Sequence, residues 1–302
     1  TTHPAVVEAV VRVLQARGCE VTLADSPGGS FTEGMLPGLY ALTGMKEVAE
    51  RTDAKLNFSI EGAEVEVPDP IRSHMLTVMR CAAEADCIVS VGKIKTHGLT
   101  AYTGAVKNLF GLVPGMLKID YHARYPDIDD FSDGVLDIVK WAKPCLSVLD
   151  GIVGMEGQGP SGGSPRAIGA LVVSDNPHAA DVVGAALIGL EPEQVSTLRA
   201  AARHDLLPVP QVLGEEVDSL AVPDFVKAAV EGKALLVNPA FSRLVRSHPY
   251  LHRKKCVGCG VCAKNCAHGA ITVTEHAHID ATKCAGCGRC IEKGPQKCMH
   301  PM

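Results

Sequence analysis

Cysteine carries the most specific chemistry in this chain. Eight of its twelve cysteines lie between Cys256 and Cys298, in two arms. The first arm is Cys256, Cys259, Cys262 and Cys266; the second is Cys284, Cys287 and Cys290, with Cys298 beyond it. The C-x2-C-x2-C-x3-C spacing of the first arm is that of a bacterial iron–sulfur run, whose fourth cysteine ligates the other cluster. Three thiolates at i, i+3 and i+6 on a Gly-containing loop can surround one face of a cubane. A single tetrahedral zinc uses fewer sulfurs, usually from two separated C-x2-C pairs. The spacing favours iron–sulfur clusters over structural zinc or disulfides.

The two arms are an internal repeat. Cys256, Cys259 and Cys262 align with Cys284, Cys287 and Cys290, and Gly258 and Gly260 with Gly286 and Gly288. By this alignment Cys266, Cys284, Cys287 and Cys290 complete one site. The other has Cys256, Cys259 and Cys262, and its expected fourth ligand falls on Gly294, followed by Pro295. Cys298 is the candidate replacement; the alternative is a three-iron or labile first cluster. Two [4Fe-4S] clusters are the expected cofactors. The other cysteines, Cys19, Cys81, Cys87 and Cys145, are scattered singly among apolar residues, a pattern of small buried hydrophobes. Thiolates kept for iron fit a reducing cytoplasm better than a secreted disulfide scaffold, so a cytoplasmic location is expected. The chain begins at Thr1 rather than Met, which leaves a targeting signal open.

A second group of residues suits acid–base or anion chemistry. Lys93, Lys95 and His97 directly follow the apolar run Cys87–Val91. Asp25, Asp150 and Asp175 likewise follow predicted strands, and ligands of open parallel sheets bind at that edge. Lys95 and His97 suit anion or metal binding, or are simple surface chemistry. Asp25 and Asp175 suit helix caps better than catalysis. Lys107 and Asn108 are candidates to hold a ligand, or a solvated face and a cap. Asp150 and Glu156 are candidate bases, and Glu156 has the alternative of holding its Gly-rich loop. Gly157–Gly162 matches G-x-G-x-x-G, but Pro160 sits inside it and a strand is expected next, so it is not read as a dinucleotide fingerprint.

These residues need elements to position them. Val6, Val7, Val10, Val11 and Leu14 recur at helical spacing after Thr2 and Pro4, with Thr2 as the expected N-cap. Strands are expected at 20–24, 64–67, 87–91, 146–149 and 167–173. Helices are expected within 31–52 and at 72–83, 103–112, 130–141, 178–189, 192–204 and 224–231. The alternation predicts an α/β fold with a mostly parallel sheet flanked by helices. A small α+β cluster module would follow, with short strands at 271–273 and 278–280. The expected division is an α/β domain over 1–235, a linker over 236–253 pinned by Phe241, Leu244, Val245 and Tyr250, and the module over 254–302.

Composition narrows the function classes. Apolar residues make up 46% and charged residues 21%, as in ordinary globular chains. A net charge of −5 and the lack of a Lys/Arg block argue against nucleic acid. No apolar run approaches the ~20 residues of a membrane span. Lys254-Lys255 reads as a solvated face or a docking charge. The sequence leaves the oligomeric state open.

Several motifs resemble the DUF362 family: Gly92-Lys93-Ile94-Lys95-Thr96-His97, Thr103 through Gly111, and Asp150 through Gly157 with Gly159-Pro160-Ser161-Gly162-Gly163. The opening Thr1-Thr2-His3-Pro4 through Gly29 is similar too. With the C-terminal arms, the chain resembles DUF362 proteins that carry a fused ferredoxin-type module. The family usually has a further strand and a Lys-Pro-Asn motif ahead of this opening. Neither is in this sequence, so the sheet is expected to lack that strand. The resemblance implies fold and cofactor, and no substrate.

Three readings follow. In the first, an iron–sulfur redox protein passes electrons from the C-terminal clusters to a redox partner protein or a small anionic substrate. Lys93, Lys95, His97, Lys107 and Asn108 would hold that substrate or donate a proton, and Asp150 and Glu156 would position it or act as base. In the second, the chain is an electron-transfer adaptor without catalysis of its own. In the third, it is a non-redox enzyme with structural clusters.

Overall fold

The computed structural model describes residues 1–28, 31–115, 117–229, 248–284 and 286–300. Most of the expected linker, including Phe241, Leu244 and Val245, lies outside the described residues.

The chain opens on α1 (Pro4–Gln15), which buries Val6, Val7 and Val11. Its N-cap is His3, whose Nδ1 accepts from the Ala5 amide; the expected cap, Thr2, instead donates to Val91 O. Then come β1 (Thr22–Leu23), α2 (Leu36–Leu42), α3 (Met45–Thr52) and β2 (Lys55–Leu56), with β1 and β2 pairing in parallel.

β3 (Gly62–Glu66) and β4 (Met75–Met79) form an antiparallel pair, and α4 is only Arg80–Ala83. A helix was expected from 72. The buried Asp137 carboxylate instead accepts from the amides of Ile71, Arg72 and Ser73, at 2.7, 2.8 and 2.6 Å. These are amides that a helix N-terminus leaves without intrahelical partners, here fixed into a turn that leads into a strand.

β5 (Val89–His97), β6 (Ala101–Thr103), β7 (Leu146–Glu156) and β8 (Ser164–Ser174) form the central sheet, in the order β6-β5-β7-β8. Only β5 and β7 are parallel; β6 and β8 run antiparallel to their neighbours. The sheet is therefore mixed, which corrects the mostly parallel expectation. The reason lies in two short connections, 98–100 and 157–163, which leave room for hairpins and not for crossover helices.

α5 (Ala105–Asn108) leads through a 3-10 turn (Leu109–Leu112) to α6 (Leu117–Arg124) and α7 (Ile128–Ala142). Asp127 caps α7 through the amides of Asp129 and Asp130, and Asn176 caps α8 (Pro177–Leu187). α9 (Ser196–Arg203) and α10 (Val217–Leu220) follow; the helix expected at 224–231 is absent from the described part, 224–229. One core joins Leu76, Val78, Phe110, Tyr121, Phe131 and Leu136. Another joins Ile94, Tyr102, Leu149, Leu187 and Leu198. Cys87 and Cys145, expected as isolated buried thiols, are disulfide-bonded at the start of the parallel strands β5 and β7, while Cys19 is exposed.

The C-terminal module contains β9 (Tyr250–Leu251), α11 (Val261–Lys264), β10 (Ile271–Val273), β11 (Ala277–Ile279), α12 (Arg289–Lys293) and β12 (Met299–His300). β9 pairs with β12 and β10 with β11. Gly260 and Gly288 adopt left-handed backbone just before α11 and α12, as the repeat requires. No helix among the described residues is long and apolar enough to cross a membrane.

Candidate functional site

The repeat divides the cysteines into two sets, Cys256, Cys259, Cys262 and Cys298, and Cys266, Cys284, Cys287 and Cys290. Cys298 is buried within hydrogen-bonding contact of Cys256, and the charges of Cys256 and Cys259 act on Cys262. In the second set, the charges of Cys287 and Cys266 act on Cys284. Burial, then Cys284, Cys287 and Cys262, pushes the Cys290 thiol up to about 12, so the two sets adjoin at this residue. A cavity beside this set is lined by Cys266, Cys284, Cys287 and Cys290 with Ile271 and Ile279. Backbone amides already point at sulfur: Ala270 N donates to Cys266 Sγ at 3.3 Å and Gly286 N to Cys284 Sγ at 3.4 Å. Among the described residues no three His, Cys, Asp or Glu side chains close on a single metal-ion position. The donor set, thiols around a cavity with amides aimed at sulfur, fits iron–sulfur clusters.

The module docks on the α/β domain through the loop of the second arm. His74 N donates to Cys287 O at 2.8 Å, and Arg124 Nη1 to Gly286 O at 3.0 Å. His74 Nδ1 lies 2.8 Å from Glu292 Oε2. Gly288 approaches so closely that a Cβ there would meet Met75 Cβ at 2.9 Å. Arg124 belongs to α6, and α6 faces a group of cations one turn back.

Lys93, Lys95 and His97 lie inside β5, not in a loop beyond it, because β6 pairs with residues 95–97 and extends the ladder. Strand alternation puts all three on one face. Asp150 is likewise inside β7, and Glu156 is its last residue. Both ladders shift register, between Lys93 and Lys95 and between Gly151 and Val153.

Lys93 and the fully buried Asp150 pair at 2.6 Å, and Asp150 also accepts from His3 N and Ile152 N. Glu156 Oε2 accepts from Val226 N at 3.0 Å and so ties the 224–229 segment to the sheet. Asn108 Nδ2 donates to Ser90 Oγ at 3.0 Å. Asp175 follows β8, which runs antiparallel, so it sits at the opposite edge of the sheet from Lys95.

Lys95, His97 and Lys107 come together. Lys107 Nζ sits 4.2 Å above the Phe110 ring and 5.3 Å from that of Phe131. Burial first, then Lys118 and Lys95, lowers its pKa to about 7. Burial, with Lys107, Lys95 and His122, lowers that of His97 to about 3. Lys95 is also lowered, by burial and Lys93, against the opposing pull of Asp25. The sequence reading missed Lys118 and His122. Their signal was an i, i+4 cation pair on one face of α6.

A family profile described as a domain of unknown function (DUF362) matches residues 1–186, and a 4Fe-4S dicluster domain profile matches residues 248–295. The thylakoid-associated protein sll1697 of Synechocystis sp. (strain ATCC 27184 / PCC 6803 / Kazusa) is 33% identical over 214 residues, 68% of this chain. The match spans 63% of that relative, less than two thirds of its length. The profile over 1–186, joined to an iron–sulfur module at the C-terminus, makes this chain a member of the DUF362 family with a fused 4Fe-4S dicluster domain.

Proposed function

We propose that this protein is an iron–sulfur redox protein that relays electrons from its C-terminal module to a ligand or partner held at the α/β domain. The observation that carries this reading is the gathering of eight cysteines in one small module, with Cys298 beside Cys256, Cys256 and Cys259 acting on Cys262, and Cys266 and Cys287 acting on Cys284. Cys256, Cys259, Cys262 and Cys298 would hold one [4Fe-4S] cluster, and Cys266, Cys284, Cys287 and Cys290 the other. Each bound cluster supplies a one-electron couple. Amides directed at Cys266 and Cys284 stabilise the thiolate form and tune that couple.

The docking loop supports an order. The second set lies against β4 and α6, while Cys259 of the first set is exposed. The first set would receive electrons and the second pass them inward. In the α/β domain, Lys95, His97 and Lys107 would contact the ligand. Lys93, Asp150, Glu156 and Asn108, all engaged with their own partners, would position that surface. We take residues 1–235 as the α/β unit and 254–302 as the cluster unit, with β9 as an N-terminal extension of the latter.

The test is electron paramagnetic resonance with iron counting on anaerobically purified protein, before and after dithionite. Two interacting reducible cubanes are expected. A single cubane, or a three-iron signal that iron reconstitution does not convert, would overturn the assignment of Cys298. If catalytic turnover of a small molecule alone also fails, the adaptor reading takes over.

A further inference from the structure

We infer that Lys95, His97, Lys107, Lys118 and His122 form a receptor for a small anion with two negative charges, a phosphate group or a dicarboxylate. The inference rests on the reading above, that the α/β domain holds a ligand, and adds its chemical class and two further contacts.

Three elements supply the five groups: β5 gives Lys95 and His97, α5 gives Lys107, and α6 gives Lys118 and His122. Among the described residues, the charges acting on Lys107 are Lys118 and Lys95, and those on His97 are Lys107, Lys95 and His122. Lys107 also acts on His122. The opposing carboxylate is Asp25, exposed, which acts on Lys95 and Lys118.

Grouped cations with so little counter-charge carry a desolvation and repulsion cost. Two residues away on the same strand face, Lys93 shows the alternative, a cation matched by the buried Asp150. The cost of grouping Lys95, Lys107 and Lys118 is offset if an anion enters, with His97 and His122 as neutral hydrogen-bonding groups beside them. The walls of the site fix these groups in place. Phe131 stacks on His122 with centroids 4.5 Å apart and planes 8° from parallel, and Phe110 lies under Lys107. Lys118 Nζ donates to Ser26 O, and Ser26 Oγ accepts from Gly115 N at 2.7 Å. His97 Nδ1 accepts from Leu99 N at 3.0 Å and from Thr100 N at 3.4 Å, which assigns its proton to Nε2 as a donor. Lysines recognise a phosphate or carboxylate as point charges, so several around one site select for charge number. Burial and the neighbouring Lys118 and Lys95 lower the pKa of Lys107 to about 7, and burial lowers that of Lys118 to about 8.

The experiment is calorimetric titration of the intact, anaerobically purified protein with inorganic phosphate, succinate and acetate. Saturable binding of a dianion is expected, with acetate at least about tenfold weaker, and the stronger of phosphate and succinate identifies the group. Succinate, which keeps both charges over this range, should bind more tightly from pH 8.5 to 6.5 as Lys107 and Lys118 take up protons. Lys107→Met and Lys118→Met should each weaken binding about thirtyfold or more, the scale for removing one partner of a buried charge pair. Lys46→Met, on the exposed face of α3, should change nothing. An unchanged far-ultraviolet circular dichroism spectrum, with iron content retained, shows that the variants fold; Lys95→Gln serves where one does not. The absence of saturable binding for both dianions, or equal binding by Lys107→Met, would overturn the inference. Clusters that reduce with dithionite in a protein that binds neither dianion would leave the redox reading standing alone. Dianion binding without reducible clusters would do the reverse.

Discussion

At the scale of residues, two side chains decide the most. Cys298 stands outside the matched dicluster segment, which ends at 295, yet lies against Cys256. Cys298→Ala should lower iron per chain and turn the first cluster into a three-iron signal, read by electron paramagnetic resonance; Cys19→Ala, at an exposed site, should do neither. Lys107 makes a prediction with a definite sign. Its folded pKa is about 7 against an ordinary 10.5, so between these values the unfolded chain binds more protons. Stability must therefore rise with pH across that window and level off below it. Lys107→Met should flatten this rise, measured as Tm against pH without added anion. The sequence announced Lys95, His97 and Lys107 through their motifs. It did not announce that Lys93 is neutralised by Asp150, because a register between two strands far apart in sequence decides that pair.

At the scale of elements, helices were easier to read than strands. α1, α7 and α8 carry apolar periodicity and a capping residue within a few positions. The stretch 72–83 looked helical by the same rule, and was misread because Asp137, on another element, takes the amides of 71–73. Asp137→Ala would leave those amides without their acceptor in a buried turn. It should cost about 3 kcal/mol or more, read as a lower urea midpoint with iron content retained. Strand length was also underestimated. The ladders of β5 and β7 continue past their apolar runs because hairpin partners, invisible in a local window, extend them. Ile94 sits in that extension, fully buried. Ile94→Ala should cost about 2–5 kcal/mol in the same measurement.

At the scale of the whole molecule, α6 is the common wall between module and cation group. Lys118 and His122 serve one side, and Arg124 reaches the carbonyl of Gly286 on the other. Arg124→Ala should loosen that seam without removing iron. The expected result is faster hydrogen exchange at the His74 amide, which donates to Cys287 O, with an unchanged iron count. The two cysteine sets also differ in what surrounds them. Cys259 is exposed and nearby Val257 is 65% exposed, whereas Cys266, Cys284 and Cys287 are half-buried, Cys290 is buried, and the loop of that set is pressed against the domain. Oxygen and peroxide therefore meet the two sets unequally. Air damage should begin at the first set, so that protein handled on the bench loses the iron signal of that set while the signal of the second persists.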